Sequence, residues 1–251
     1  MVVMDINSPL KKEKDMLLEY KDNFTLTTND FYYDEQLKLS AILNLFQTVA
    51  GDHSELIGCG FDEMIQKDIV WMLLNAKCTI YKRLHRGDKI TVTTNPLPKG
   101  RIGYVRDYYI YNENGELCVK GSSFWCLVSY SQRRILRPTY EYVGEYVDKK
   151  AYEEDFERLK PFPVSENPTY VCMILNTHID RNKHVNNIKY ADFAVDGLDE
   201  IPKISEFEIK YVSECKKDDT LAIGYEKQDN IIYVCGENNG KTSFVAKITT
   251  M

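Results

Sequence analysis

The chain has 251 residues, 43% of them hydrophobic and 28% charged, with a formal net charge of -6. That is enough apolar material for one large core or two small ones, and the acidic balance argues against a nucleic-acid partner, whose phosphates select a basic face. No apolar run approaches the roughly 20 residues that span a bilayer and the start of the chain is polar, so neither membrane insertion nor a secretory leader is expected and the location is read as cytoplasmic.

Residues 1–22 are polar and lysine-rich and read as a loosely held arm. FTLTTNDFYY then alternates like a strand. From Ser40, read as the N-cap, Ile42, Leu43, Phe46, Val49, Ala50 and Leu56 recur near a 3.6-residue period and predict one long helix. Strand-like stretches follow, separated by turn signals: WMLLNAKCTIY, KITVTTN, and the long IGYVRDYYIYNENGELCVKGSSFWCLVSY, with Asn114-Gly115 marking a hairpin. Residues 138–168 are rich in Pro, Glu, Lys and Tyr, lack a clean period, and read as a connector.

The plan then recurs. A strand TYVCMILNTHI leads through DRNKHVNN to a helix-like run IKYADFAVDGLDEI. After it come strands FEIKYVSEC, TLAIGYEKQ, NIIYVCGE and TSFVAKITT, with Asn239-Gly240 as a second hairpin turn. The two halves can be superposed, which argues for duplication of one α+β unit, a helix wrapped by an antiparallel sheet. The expected division is an arm over 1–22, a first unit over 23–137, a linker over 138–168 and a second unit over 169–251.

Chemistry concentrates in the second half. Asp180, Asn182 and His184 alternate at a spacing of two, so an extended segment would present a carboxylate, an amide and an imidazole on one face. Asn186 or Asn187 can cap the helix that follows, leaving backbone N–H groups suited to polarising a carbonyl oxygen. FEIKYVSEC places an acid and a thiol, Glu214-Cys215, at a strand end. Aligning the halves through Gly87-Asp88 and Asp218-Asp219 puts Arg83 and Leu84 opposite that pair. Aligning the helices through Phe46 and Phe193 puts Glu35 opposite Asn182 and Leu37 opposite His184, so the first half lacks the reactive set. Seven cysteines lie scattered, with no CxxC pair and an odd total, which fits reduced thiols. With four histidines and none near a cysteine pair, no metal is expected.

In WMLLNAKCTIYKRLHRGD, RIGYVRDYYI with GSSFWCLV and RRILRP after it, DRNKHVNNIKY and the Glu-Cys pair, the chain resembles the acyl-acyl carrier protein thioesterases of plant plastids and bacteria. The resemblance runs from about Phe24 to the C-terminus. It implies two tandem hotdog domains, the first binding the acyl chain and the second catalytic. It also implies hydrolysis of fatty acyl-acyl carrier protein to free fatty acid without a cofactor, with Asp180, Asn182, His184 and Glu214 as the catalytic set. Cys215 matches a position considered for the nucleophile but ranks below the others, since an acid neighbour raises a thiol pKa.

By the same resemblance the acyl chain lies in the first half, under the long helix, with Ile42, Phe46, Val49, Trp71 and Leu73 as candidate lining. The partner, acyl carrier protein, is acidic, so docking is expected at local basic clusters, Arg133 and Arg134 or Lys216 and Lys217. Open sheet edges allow a homodimer. The competing readings are an acyl-CoA thioesterase or a dehydratase of the hotdog superfamily, and a non-catalytic acyl-binding regulator.

Overall fold

The computed structural model of the chain describes residues 17–164 and 166–251. The first unit holds β1 (Tyr20–Thr25), α1 (Leu39–Leu56), α2 (Phe61–Gln66), β2 (Ile69–Ile80), β3 (Lys89–Pro96), β4 (Tyr104–Asn112), β5 (Leu117–Ser129) and the short β6 (Ile135–Leu136). The second holds β7 (Tyr170–Met173), α3 (Lys189–Asp196), β8 (Ile204–Tyr211), β9 (Thr220–Gln228), β10 (Ile231–Asn238) and β11 (Lys241–Thr250). All pairings are antiparallel, and the strands join into one sheet in the order β1-β3-β4-β5-β2-β8-β11-β10-β9-β7, with β6 on β5. The order is the same five-strand plan twice, fused where β2 meets β8 from Asn75↔Lys210 to Thr79↔Glu206.

Helix α1 forms because its apolar residues share one face: Leu39, Ile42, Leu43, Phe46, Val49, Ala50 and His53 are all buried. It presses on β5 at Gly121, where a Cβ would stand 2.1 Å from the Phe46 ring. Phe46 in turn stacks on Tyr108 of β4, with ring centroids 4.4 Å apart. Ser40 is not the cap. The helix starts at Leu39, two residues earlier than a Ser40 cap implies, Lys38 holds the extended N-cap conformation, and the Tyr32 hydroxyl accepts the Leu39 N–H at 3.3 Å. Ser40 is a buried residue of the first turn.

Both hairpin turns form as their sequences predict, Gly115, Asn239 and Gly240 all taking positive φ. Several expected strands are shorter than their patterns. Residues 1–16 of the expected arm lie outside the described residues, and β1 begins at Tyr20, inside that arm. FTLTTNDFYY leaves the sheet after Thr25, because Asp30 accepts from both the backbone N–H and the hydroxyl of Thr27 and turns the chain into a 3-10 turn over Thr28–Asp30. TYVCMILNTHI likewise ends as sheet at Met173, ahead of a 3-10 turn over Asn176–His178 where His178 Nδ1 accepts the Leu175 N–H. β8 stops at Tyr211, so Glu214 and Cys215 stand in the connection beyond the strand rather than at its end.

Residues 137–164 and 166–169 form neither helix nor strand beyond a single bridge at Glu145, and they strap the outer face of the sheet. Lys77 is buried beneath them, donating to the carbonyls of Glu154 and Asp155 at 3.0 and 3.2 Å and lying over the rings of Tyr152 and Phe156. Further on, Leu159 and Val164 pack against Cys235 and Val245.

Candidate active site

The turn between the 3-10 segment and α3 is built twice in this chain. In the second half Ile179 bridges Val185, Asp180 N–H donates to the His184 carbonyl at 2.9 Å, and Lys183 sits at φ 65°. In the first half Phe31 bridges Leu37, Tyr32 N–H donates to the Gln36 carbonyl at 2.9 Å, and Glu35 sits at φ 64°. This register corrects the expected alignment by one residue: His184 corresponds to Gln36, not Leu37, and Asn182 to Asp34, not Glu35. Gln36 has a structural task, since its side chain donates to the Pro202 carbonyl at 3.1 Å and accepts the Ile204 N–H at 3.2 Å, tying the second unit to the first.

Asp180, Asn182 and His184 are brought together by this tight turn rather than by an extended strand. Asp180 Oδ1 accepts the Asn182 N–H at 2.8 Å and the His184 N–H at 3.4 Å, and Oδ2 accepts the Asn182 side-chain amide at 3.3 Å. Three donors on one carboxylate fix the loop. Asn186 closes its far side: its Oδ1 accepts the Ile188 N–H at 3.1 Å, in the turn that leads into α3. Ile188, not an asparagine, occupies the N-cap position of α3.

Glu214 arrives from the connection after β8. His184 Nε2 and Glu214 Oε2 are 3.1 Å apart, the imidazole largely buried and the carboxylate half-exposed. The same oxygen, Oε2, also pairs with the Arg133 guanidinium. Arg133 sits in the β5–β6 turn, which is pinned by Asp68: its carboxylate accepts from the Ser129 and Ser131 hydroxyls and the Ser131 N–H, interactions that hold its pKa below the usual range. Arg133 was expected only at a docking surface; a contact with an acid 81 positions away leaves no local pattern.

Cys215 does not face this centre. Its thiol is buried, 3.0 Å from Ser243 Oγ, and burial pushes its pKa up. Its backbone does matter to the site: the Cys215 carbonyl accepts the Val185 N–H at 2.9 Å, which ties the Glu214 segment to the Asp180–His184 turn.

Asp180, Asn182, His184, Glu214 and Arg133 border a cavity of about 980 Å³ that extends into the first unit. Its floor follows a cross-strand row from Leu73 through Trp125 to Tyr104, and Tyr211 of β8 also borders it. Of the five residues expected to line an acyl channel, Trp71 and Leu73 border this cavity. Ile42 and Val49 are fully buried in the core, and Phe46 borders a small adjoining hollow that shares Leu73, Trp125 and Tyr211 with the cavity. At the mouth the Arg181 guanidinium lies 3.5 Å from the Phe61 ring centroid, so the second unit's loop closes against α2 of the first. Among the described residues no cluster of three or more His, Cys, Asp or Glu is arranged to hold a metal ion.

Two helix-and-sheet units fused edge to edge, with an acid–imidazole pair on the wall of a shared cavity, define a tandem hotdog protein. The acyl-ACP thioesterase N-terminal domain family matches residues 18–146 and the acyl-ACP thioesterase C-terminal domain family matches residues 173–250. The chain belongs to the acyl-ACP thioesterase family. It is 26% identical over 226 residues to oleoyl-acyl carrier protein thioesterase 1, chloroplastic, of Arabidopsis thaliana, covering 81% of this chain and 62% of that protein. To palmitoyl-acyl carrier protein thioesterase, chloroplastic, of Gossypium hirsutum it is 26% identical over 223 residues, covering 81% of this chain and 54% of the relative. The chain thus spans under two thirds of the length of these two plant relatives. Its fold is similar to an acyl-ACP thioesterase from Bacteroides thetaiotaomicron, at 20% identity and a TM-score of 0.83, covering 92% of this chain and 97% of that one. It is also similar to the 12:0-ACP thioesterase from Umbellularia californica, at 20% identity and a TM-score of 0.79, covering 92% and 96%.

Proposed function

We propose that this protein hydrolyses the thioester of fatty acyl-acyl carrier protein, releasing free fatty acid. The observation that carries the reading is the 3.1 Å contact between His184 Nε2 and Glu214 Oε2 on the wall of a cavity large enough for an acyl chain. An acid and an imidazole in hydrogen-bond contact can take the proton from water as it attacks the thioester carbon, and the thiolate then leaves with the electron pair of the C–S bond. Asn182 borders the cavity and its side-chain amide reaches Asp180 only at 3.3 Å, which supports a role in which that amide turns toward the developing oxyanion. The test is release of free fatty acid from a panel of acyl carrier protein substrates. Absence of release from every chain length, or release from coenzyme A thioesters only, would reject the reading.

Either Asp180 or Glu214 is a carboxylate that can in principle attack the thioester carbon, but three hydrogen bonds to the Asp180 anion make it a poor nucleophile and a good brace. Asp180→Asn, which keeps an acceptor at Oδ1, should therefore retain roughly tenfold more activity than Asp180→Ala, the scale of one hydrogen bond to a charged group. Equal losses in the two variants would return Asp180 to the reacting carbon. Cys215→Ala should stay within roughly tenfold of wild-type turnover, far from the loss expected when a catalytic group is removed; a deeper loss at an unchanged melting temperature would make the thiol chemical.

For the carrier protein, the basic residues beside the mouth remain the proposed docking surface. Arg133 is a poor probe of it, because charge reversal there would set a carboxylate against Glu214. Arg134→Glu with Lys216→Glu avoids this. The pair should raise KM for carrier-linked substrate by roughly threefold or more, and spare coenzyme A thioesters. Similar effects on both substrates would remove the docking role. We place the reaction in the cytoplasm, which seven unpaired cysteines support; among the described residues no helix is long and apolar enough to cross a membrane.

A further inference from the structure

The first unit reaches the acid of the second through one side chain. Arg133 stands at φ 53° in the turn between β5 and β6, a left-handed conformation that glycine adopts freely and a residue with a Cβ adopts at a cost. Its guanidinium meets Glu214 at Oε2, the oxygen that also lies 3.1 Å from His184 Nε2. Among the described residues no hydrogen bond or ion pair reaches Glu214 Oε1.

The turn around Arg133 is densely bonded. The Arg133 N–H donates to the Ser129 carbonyl and the Ser129 N–H to the Arg134 carbonyl, both at 2.9 Å, and the Gln132 N–H donates to Ser129 Oγ at 3.1 Å. Asp68, itself at φ 59°, clamps the same turn from outside. Its carboxylate accepts the Ser129 hydroxyl at 2.6 Å and both the hydroxyl and the N–H of Ser131 at 2.8 Å, while its carbonyl accepts the Tyr130 N–H at 2.9 Å. Two residues with side chains thus hold left-handed backbone within one clamp. An exposed ion pair adds little to stability, so the contact with Glu214 does not offset that strain. Backbone strain enforced by its surroundings gathers at functional sites.

The clamp is also in register with the site. Asp68 immediately precedes β2, the strand that pairs with β8. Because that pairing is antiparallel, β8 leaves the seam at Tyr211 heading toward the start of β2, and the segment that carries Glu214 follows. One strand therefore links the turn of the first unit to the acid of the second.

We propose that Arg133 is a positioning residue for hydrolysis: by holding Oε2 of Glu214 against His184, it leaves Oε1 as the oxygen that takes the proton from water. The proposal rests on the thioester reading above and deepens it by naming the group that aims the base. The water oxygen bonds to the thioester carbon as its proton passes to Oε1. The C–S bond then breaks, its electron pair leaves on sulfur, and the thiolate takes that proton back, restoring the carboxylate. Without the guanidinium, Glu214 turns about its own side-chain bonds and less of it stands in the productive orientation.

The test is Arg133→Gly, read on carrier-linked substrate. The melting temperature should change little, since glycine meets φ 53° without strain and the lost ion pair is exposed. Turnover should nevertheless fall roughly tenfold, the scale of one hydrogen bond to a charged group, with KM little changed. Added guanidinium ion should restore part of the lost kcat in Arg133→Gly and none in Glu214→Gln. In the Glu214→Gln background Arg133→Gly should cost little further, because the oxygen it aims no longer takes a proton. The same tenfold loss in that background, a kcat loss that tracks a fall in melting temperature, or a rise in KM alone would overturn the proposal. If wild type releases fatty acid and Arg133→Gly matches it, the proposal fails alone; if wild type hydrolyses no thioester, the functional reading fails and the proposal with it.

Discussion

Glu214→Gln should lower kcat at least about a hundredfold, the usual scale for a catalytic base, while changing stability by no more than about 0.5 kcal/mol. Glutamine has the size of glutamate and keeps an oxygen for Arg133, but it has no carboxylate to receive a proton from water. The side chain is 42% exposed, so little packing is at risk. Fatty acid release at saturating substrate, with a thermal melt on the same sample, reads both quantities. Normal turnover in this variant would exclude Glu214 from the chemistry and leave His184 without its acid partner.

His184→Ala should cost at least about a hundredfold as well, and the double variant with Glu214→Gln should be little worse than either alone. Groups that act as one unit in one step give such non-additive losses. The geometry behind this expectation is the single contact between Nε2 and Oε2, together with a loop in which the His184 N–H donates to Asp180 Oδ1 and the His184 carbonyl accepts the Asp180 N–H. Multiplying losses would mean that the two residues serve different steps. Loss of the melting transition in His184→Ala would show instead that the imidazole holds the fold.

Much of this architecture was legible because the signals are local. Asn-Gly at two hairpins, a 3.6-residue apolar period in α1 and the recurrence of one element order all follow from backbone preferences within a few residues. The cluster from Asp180 to His184 was legible as chemistry, yet its conformation was not: Lys183 takes a left-handed φ and folds the segment back, where an alternating spacing suggested a strand. Helix alignment through two phenylalanines missed the internal register by one residue, since equal residue types at a helix face do not fix phase. The shared hydrogen bonds of the two turns do, and those involve backbone atoms that every residue carries. Arg133 was read as a member of a basic cluster. Its contact with Glu214 depends on what lies opposite it across the cavity, and that is set by long-range pairing.

The seam between β2 and β8 has a consequence for how the molecule tolerates damage. Both strands belong to one polypeptide, so the local concentration of each half for the other is fixed by the strap that joins them, not by the abundance of the protein. Dilution cannot part the halves. Nor can a sound copy rescue a flawed one by exchanging partners: a lesion at Phe61 in one half would remove the ring that Arg181 of the same chain rests on every time.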